Sequence, residues 1–84
     1  MKFEKVITLL NELTEAKENN QLEWEFTGNT RYETNWNDKD IIIDRHNNVD
    51  KDSLETYIRI GVFEAAYLPN TEEFDFLVKF IDSL

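Results

Sequence analysis

Around Asn20 the spacing of apolar residues along the chain changes. Before it, Phe3, Val6, Ile7, Leu10, Leu13 and Ala16 recur at three- and four-residue steps, while Glu4, Lys5, Glu12, Glu15 and Lys17 fall mostly on the other side. After it, Leu22, Trp24 and Phe26 alternate with Glu23, Glu25 and Thr27, and Tyr32, Thr34 and Trp36 alternate with Arg31, Glu33 and Asn35. The first spacing is one stripe of a helix, and the second is one face of a strand. Each element exposes an apolar side that it cannot bury alone, so the chain is constrained to lay helix on sheet.

The helix is expected to end at Asn19 and Asn20, since Asn tolerates the left-handed conformation that closes many helices. Gly28-Asn29 then interrupts the alternation and predicts a hairpin. A two-residue turn there would set Trp24 against Glu33 and Phe26 against Arg31. A three-residue loop of Thr27, Gly28 and Asn29, with Asn29 left-handed, instead pairs Trp24 with Tyr32, Phe26 with Thr30 and Glu25 with Arg31. That register is expected, because it sets aromatic against aromatic and acid against base.

Asn37 to Asp40 reads as the next turn, Ile41 to Ile43 as a strand by its β-branched content, and His46 to Asp52 as a polar loop. Residues from Leu54 onward fit a helix through Leu54, Tyr57, Ile58, Val62 and Ala65, or a strand over residues 55–63 through Thr56, Ile58, Ile60 and Val62. Tyr, Ile, Val and Phe dominate the stretch and Gly61 would weaken a helix, so strand is the expectation. Asn70, with Glu73 three residues on, is the expected N-cap of a closing helix striped by Phe74, Leu77, Val78, Ile81 and Leu84. The predicted fold is α+β, one small domain over residues 1–84: an N-terminal helix, an antiparallel sheet of about four strands in meander order, and a C-terminal helix packed on one sheet face.

Eighteen Asp and Glu against nine Lys and Arg give a net charge of −9, spread along the chain. Nucleic-acid affinity comes mainly from Lys and Arg displacing counterions, so a surface of this sign argues against direct nucleic-acid or anionic-membrane binding. The same field favours a protein partner with a basic surface, although charge also serves solubility alone. The acids along and beside the first hairpin, Glu23, Glu25, Glu33, Asp38 and Asp40, are the candidate partner-binding residues. No apolar run approaches membrane-spanning length and the start Met1-Lys2-Phe3-Glu4-Lys5 does not read as a signal segment, so a cytoplasmic location is expected. A homo-oligomer is compatible with all of this.

Reactive chemistry has few carriers here. There is no Cys, one His and two Gly, which removes disulfides, thiolate chemistry and any glycine-rich phosphate loop. A Ser-His-Asp device would have to use His46 and Ser53, which share one polar stretch without a strained nucleophile turn. His46 by itself reads as a surface imidazole. One metal pattern can be laid on the chain: with Asp44 as position one of a twelve-residue calcium loop, Asn48, Asp50, Asp52 and Glu55 fall at positions five, seven, nine and twelve, with His46 at three. Val49 stands where that loop needs Gly, and the chain enters through strand-like residues, so no metal and no cofactor is assigned.

Eleven aromatics are a large load for 84 residues, and an exposed aromatic patch is expected. The resulting expectation is a non-enzymatic protein-interaction module. Its concrete form is an inhibitor or immunity-type protein that occupies a basic, nucleic-acid-binding surface of its partner. The alternatives are a small divalent-metal or ligand-binding protein using the Asp44 to Glu55 segment, and a structural subunit of a complex.

Overall fold

The computed structural model describes residues 1–28, 30–48 and 52–84. The amphipathic N-terminal segment forms α1 (Phe3–Glu18), with Val6, Leu10, Leu13 and Ala16 buried along one stripe. It ends as expected: Asn20 has φ +60, and the Gln21 amide reaches back to the Ala16 carbonyl at 2.8 Å.

Five strands follow, β1 (Glu25–Thr27), β2 (Arg31–Trp36), β3 (Lys39–Asn48), β4 (Ser53–Ile60) and β5 (Phe63–Tyr67), and α2 (Glu72–Asp82) closes the chain. All neighbours are antiparallel and the order is β1-β2-β3-β4-β5, a meander. The architecture is the predicted α+β one, with five strands. The extra strand arises at Gly61, whose φ of +60 turns the chain so that Ile60 pairs with Phe63. Residues 55–63 are therefore not one strand.

Three further boundaries move. The turn after β2 is the pair Asn37-Asp38, with φ +54 and +63, as a two-residue type I′ hairpin requires, so Lys39 and Asp40 already belong to β3. Likewise His46, Asn47 and Asn48 are strand residues paired with Glu55, Leu54 and Ser53. Their polarity reads as a loop, but His46 lies on the sheet face that meets solvent, and Asn47, on the side of Ile43, is exposed together with its partner Leu54. Before α2, the N-cap is Thr71, whose hydroxyl accepts from the Phe74 amide at 3.2 Å, while Asn70 sits at φ +70.

The first hairpin keeps a three-residue connection, moved to residues 28–30. Phe26 faces Tyr32, Thr27 faces Arg31 and Glu25 faces Glu33, in place of the expected pairs. Both registers hold the aromatics on one side. The observed one lets Trp24 pack edge-on against Phe80 of α2 (5.7 Å, 73°) and Phe26 against Tyr32 (4.9 Å), and it leaves Arg31 beside Asp44 at 3.6 Å. The left-handed conformation expected of Asn29 lies outside the described residues.

One face of the sheet supplies Ile41 and Ile43 from β3 and Ile58 and Ile60 from β4 to a buried cluster shared with the α1 stripe and with Leu77, Phe80 and Ile81 of α2. Each fully buried aliphatic contributes about 1.5–3 kcal/mol. Most aromatics pack around this cluster, Phe3 making edge contacts with Tyr67 and Phe76. The expected aromatic patch reduces to Phe26, the exposed ring of the set at 56%.

Candidate functional site

Alternation sends every second strand residue to the opposite, outer face. The registers align Glu25, Glu33, Ile42, Arg59 and Glu64 as one row across five strands, with Thr27, Arg31, Asp44, Tyr57 and Ala66 as the next. Opposite charges in such rows stabilise a sheet and like charges directly opposite destabilise it. The β1–β2 pair sets Glu25 against Glu33, the unfavourable case.

Around that pair lies a shallow depression of about 530 Å³. Glu23, Glu25, Glu33 and Asp40 line it, Ile42 contributes apolar surface, and Arg59 brings the one cationic side chain of the lining. Four of the five acids singled out in the sequence are thus assembled at one place. The fifth, Asp38, is exposed at the β2–β3 turn and is not part of the lining.

Local bonds hold several of these groups. The Thr27 hydroxyl donates to Glu33 Oε2 at 2.6 Å, and Asn35 Nδ2 donates to Asp40 Oδ1 at 3.1 Å. Thr34 Oγ1 donates to the Glu23 carbonyl at 2.9 Å, which ties the segment entering β1 to β2. Arg59 Nε donates to the Gly61 carbonyl at 3.0 Å, which draws part of its donor capacity toward the β4–β5 turn. Glu23, Glu25 and Asp40 are exposed and Glu33 is half-buried, so a cationic side chain entering the depression would meet carboxylates on several sides.

A second polar group occupies the outer face of β2, β3 and β4, and it joins Asp44, His46 and Glu55 of the stretch weighed above as a metal pattern to Thr30 and Arg31. Asp44 is buried although it lies on the solvent side, because Thr30 Oγ1 donates to it at 2.5 Å while Arg31 (3.6 Å) and His46 Nδ1 (3.5 Å) stand against its other oxygen. The far ring nitrogen of His46, Nε2, is 3.1 Å from Glu55 Oε1. His46 is therefore a half-exposed imidazole held through Nε2 by Glu55, with Nδ1 facing Asp44 but making no hydrogen bond. Only the β3–β4 register, which places His46 opposite Glu55, could have shown it.

The described residues of the calcium-loop pattern do not gather around one point. Asp44 and Asn48 lie along β3 and Glu55 on β4, held in a ladder, and Asp52 is exposed at φ +48 ahead of β4. Asp50 lies outside the described residues. Among the described residues no group of three or more His, Asp or Glu side chains is placed to hold a metal ion. Ser53 pairs with Asn48, two ladder steps from the pair His46 and Glu55. No described helix is long and apolar enough to cross a membrane.

Comparison of the chain with protein-family models, with curated proteins and with solved structures found no match.

Proposed function

We propose that this protein is a non-enzymatic interaction module that takes a basic segment of a protein partner into the acidic depression on its outer sheet face. The observation that carries the reading is the juxtaposition of Glu25 and Glu33. A direct like-charge pair across strands costs up to about 1 kcal/mol in the free protein. A Lys or Arg placed between the two carboxylates would convert that cost into attraction, so the feature that weakens the free fold would favour the complex. Net charge of −9 adds long-range steering toward a cationic surface. In its most concrete form the partner is a nucleic-acid-binding protein, with carboxylates standing where phosphates would otherwise sit.

The test uses an arginine-rich dodecapeptide as probe and two charge-reversal variants of equal net charge. Glu25→Lys with Glu33→Lys alters the depression; Glu12→Lys with Glu15→Lys alters the exposed side of α1. The first is expected to weaken peptide binding by at least about tenfold more than the second, and binding of the unaltered protein is expected to fall steeply with salt. The single change Glu25→Gln should in addition raise the stability of the free protein by about 0.5 kcal/mol in urea denaturation. Equal weakening by both double variants would show that net charge acts alone and would overturn the site.

A further inference from the structure

The two edges of the sheet are unlike. At one end, β1 is three residues long and carries an exposed glutamate, two of the devices that protect an edge from pairing. At the other end, β5 runs five residues, Phe63-Glu64-Ala65-Ala66-Tyr67, with no Pro, no Lys and one charge. That charge is engaged: Glu64 accepts a hydrogen bond from the Tyr57 hydroxyl at 2.7 Å on the sheet face.

Antiparallel alternation fixes which backbone groups face outward. The turn at Gly61-Val62 is closed by Ile60 and Phe63, and the closing pair of a two-residue hairpin exchanges both its hydrogen bonds. Every second pair does the same, so Phe63, Ala65 and Tyr67 direct their amides and carbonyls into β4. Those of Glu64 and Ala66 point away from the sheet, beyond which the strand order has no further neighbour.

From this edge we infer that a second copy of the chain pairs with β5, antiparallel, about a two-fold axis at Ala65. In that register Glu64 exchanges hydrogen bonds with Ala66 of the second copy, and Ala66 with its Glu64, which satisfies all four outward amides and all four outward carbonyls of the two copies. Each carboxylate faces a methyl group. Ala65 meets its own copy and Phe63 lies across from Tyr67. The same register brings Val62, fully solvent-exposed at 102%, beside Leu68 of the second copy, exposed at 40%. Two of the large apolar side chains that the monomer leaves in water thus cover each other at both ends of the interface. An axis at Glu64 would set two carboxylates opposite each other, and one at Ala66 would set Phe63 against Pro69, so the two-fold at Ala65 is the register the sequence complements. Because β1 offers no comparable edge, the assembly closes as a dimer with one ten-stranded sheet and does not extend into a fibre.

This inference is independent of the acidic depression, which lies toward the other edge, and salt separates the two. Copies that each carry −9 repel one another, so added salt should strengthen the dimer while it weakens binding of a cationic peptide. The experiment is sedimentation equilibrium of the full chain up to about 1 mM, with Ala66→Glu and Ala66→Lys. Ala66 is exposed, so both variants are expected to keep the fold, checked by circular dichroism. Ala66→Glu places glutamate against Glu64 twice per dimer and is expected to raise the dissociation constant roughly tenfold; Ala66→Lys places lysine there and is expected to lower it several-fold. A monomer throughout the concentration range, or a dimer whose dissociation constant is the same in both variants, would overturn the proposal. So would Ala66→Lys weakening the dimer as much as Ala66→Glu, because only this register sets residue 66 against Glu64.

Discussion

Tyr57 lies on the outer face of β4 and gives its hydroxyl hydrogen bond to Glu64 on β5. That bond, followed by burial and by the negative charge of Glu64, disfavours the phenolate and raises the Tyr57 pKa above its ordinary value of 10.0. Tyr67 is raised as well, by burial first and then by Glu73. A group whose folded pKa is raised holds its proton more tightly in the native state. Its contribution to stability is therefore complete below the unfolded value, near 10, and is lost as pH rises through the folded one. Urea denaturation between about pH 9 and about pH 11 should show stability falling with pH, and Tyr57→Phe should make the fall shallower without removing it, since Tyr67 continues to titrate. An unchanged slope in the variant would show that the Glu64 bond contributes nothing in solution.

At the scale of elements, the turns set the faces. Asn37 and Asp38 both hold positive φ, the conformation for which glycine is the least strained residue at the second position. Asp38→Gly is expected to stabilise the protein by about 0.5 kcal/mol, the relief of a left-handed Asp partly offset by the greater freedom of glycine in the unfolded chain. Because Asp38 lies outside the depression, the change should leave peptide binding nearly as it was, and calorimetry of the variant with the arginine-rich probe checks that. The helices and the first hairpin were legible in the sequence because their apolar residues keep one period over many positions. The split between β4 and β5 was not. Its signal is a change of phase: Thr56, Ile58 and Ile60 face inward at even positions and Phe63, Ala65 and Tyr67 at odd ones, which only a two-residue turn at Gly61-Val62 produces. The period of two through Ile58, Ile60 and Val62 hid it, since Val62 reads as core and is fully exposed. For the site, charge density alone pointed to Glu23, Glu25, Glu33 and Asp40, but bringing them together required the observed register. In the cluster of Asp44, His46 and Glu55, strand alternation alone sets Asp44 beside His46, and Glu55 joins them through the β3–β4 register, which the polar stretch between them does not announce.

Over the whole molecule, the two helices come from the two ends of the chain and share one buried cluster with the sheet, while the opposite sheet face carries the polar rows. Every ladder joins strands consecutive in sequence, and the longest strand, β3, pairs with β4 over eight positions around residues 49–52. Closing such short loops costs little chain entropy compared with pairing distant segments. The meander thus bears on how the native state is reached. Folding should be quick for a sheet protein, on a millisecond scale in order of magnitude, with a nucleus centred on the β3–β4 hairpin and docking of the terminal helix later. In stopped-flow experiments Ile43→Val should chiefly slow refolding, whereas Leu77→Ala in α2 should chiefly accelerate unfolding. The reverse pattern would place the nucleus at the helix. In a chain ordered in this sequence each strand's neighbour is also its neighbour in sequence, so the sheet can grow outward from the β3–β4 hairpin one strand at a time, with no distant segment having first to find its partner.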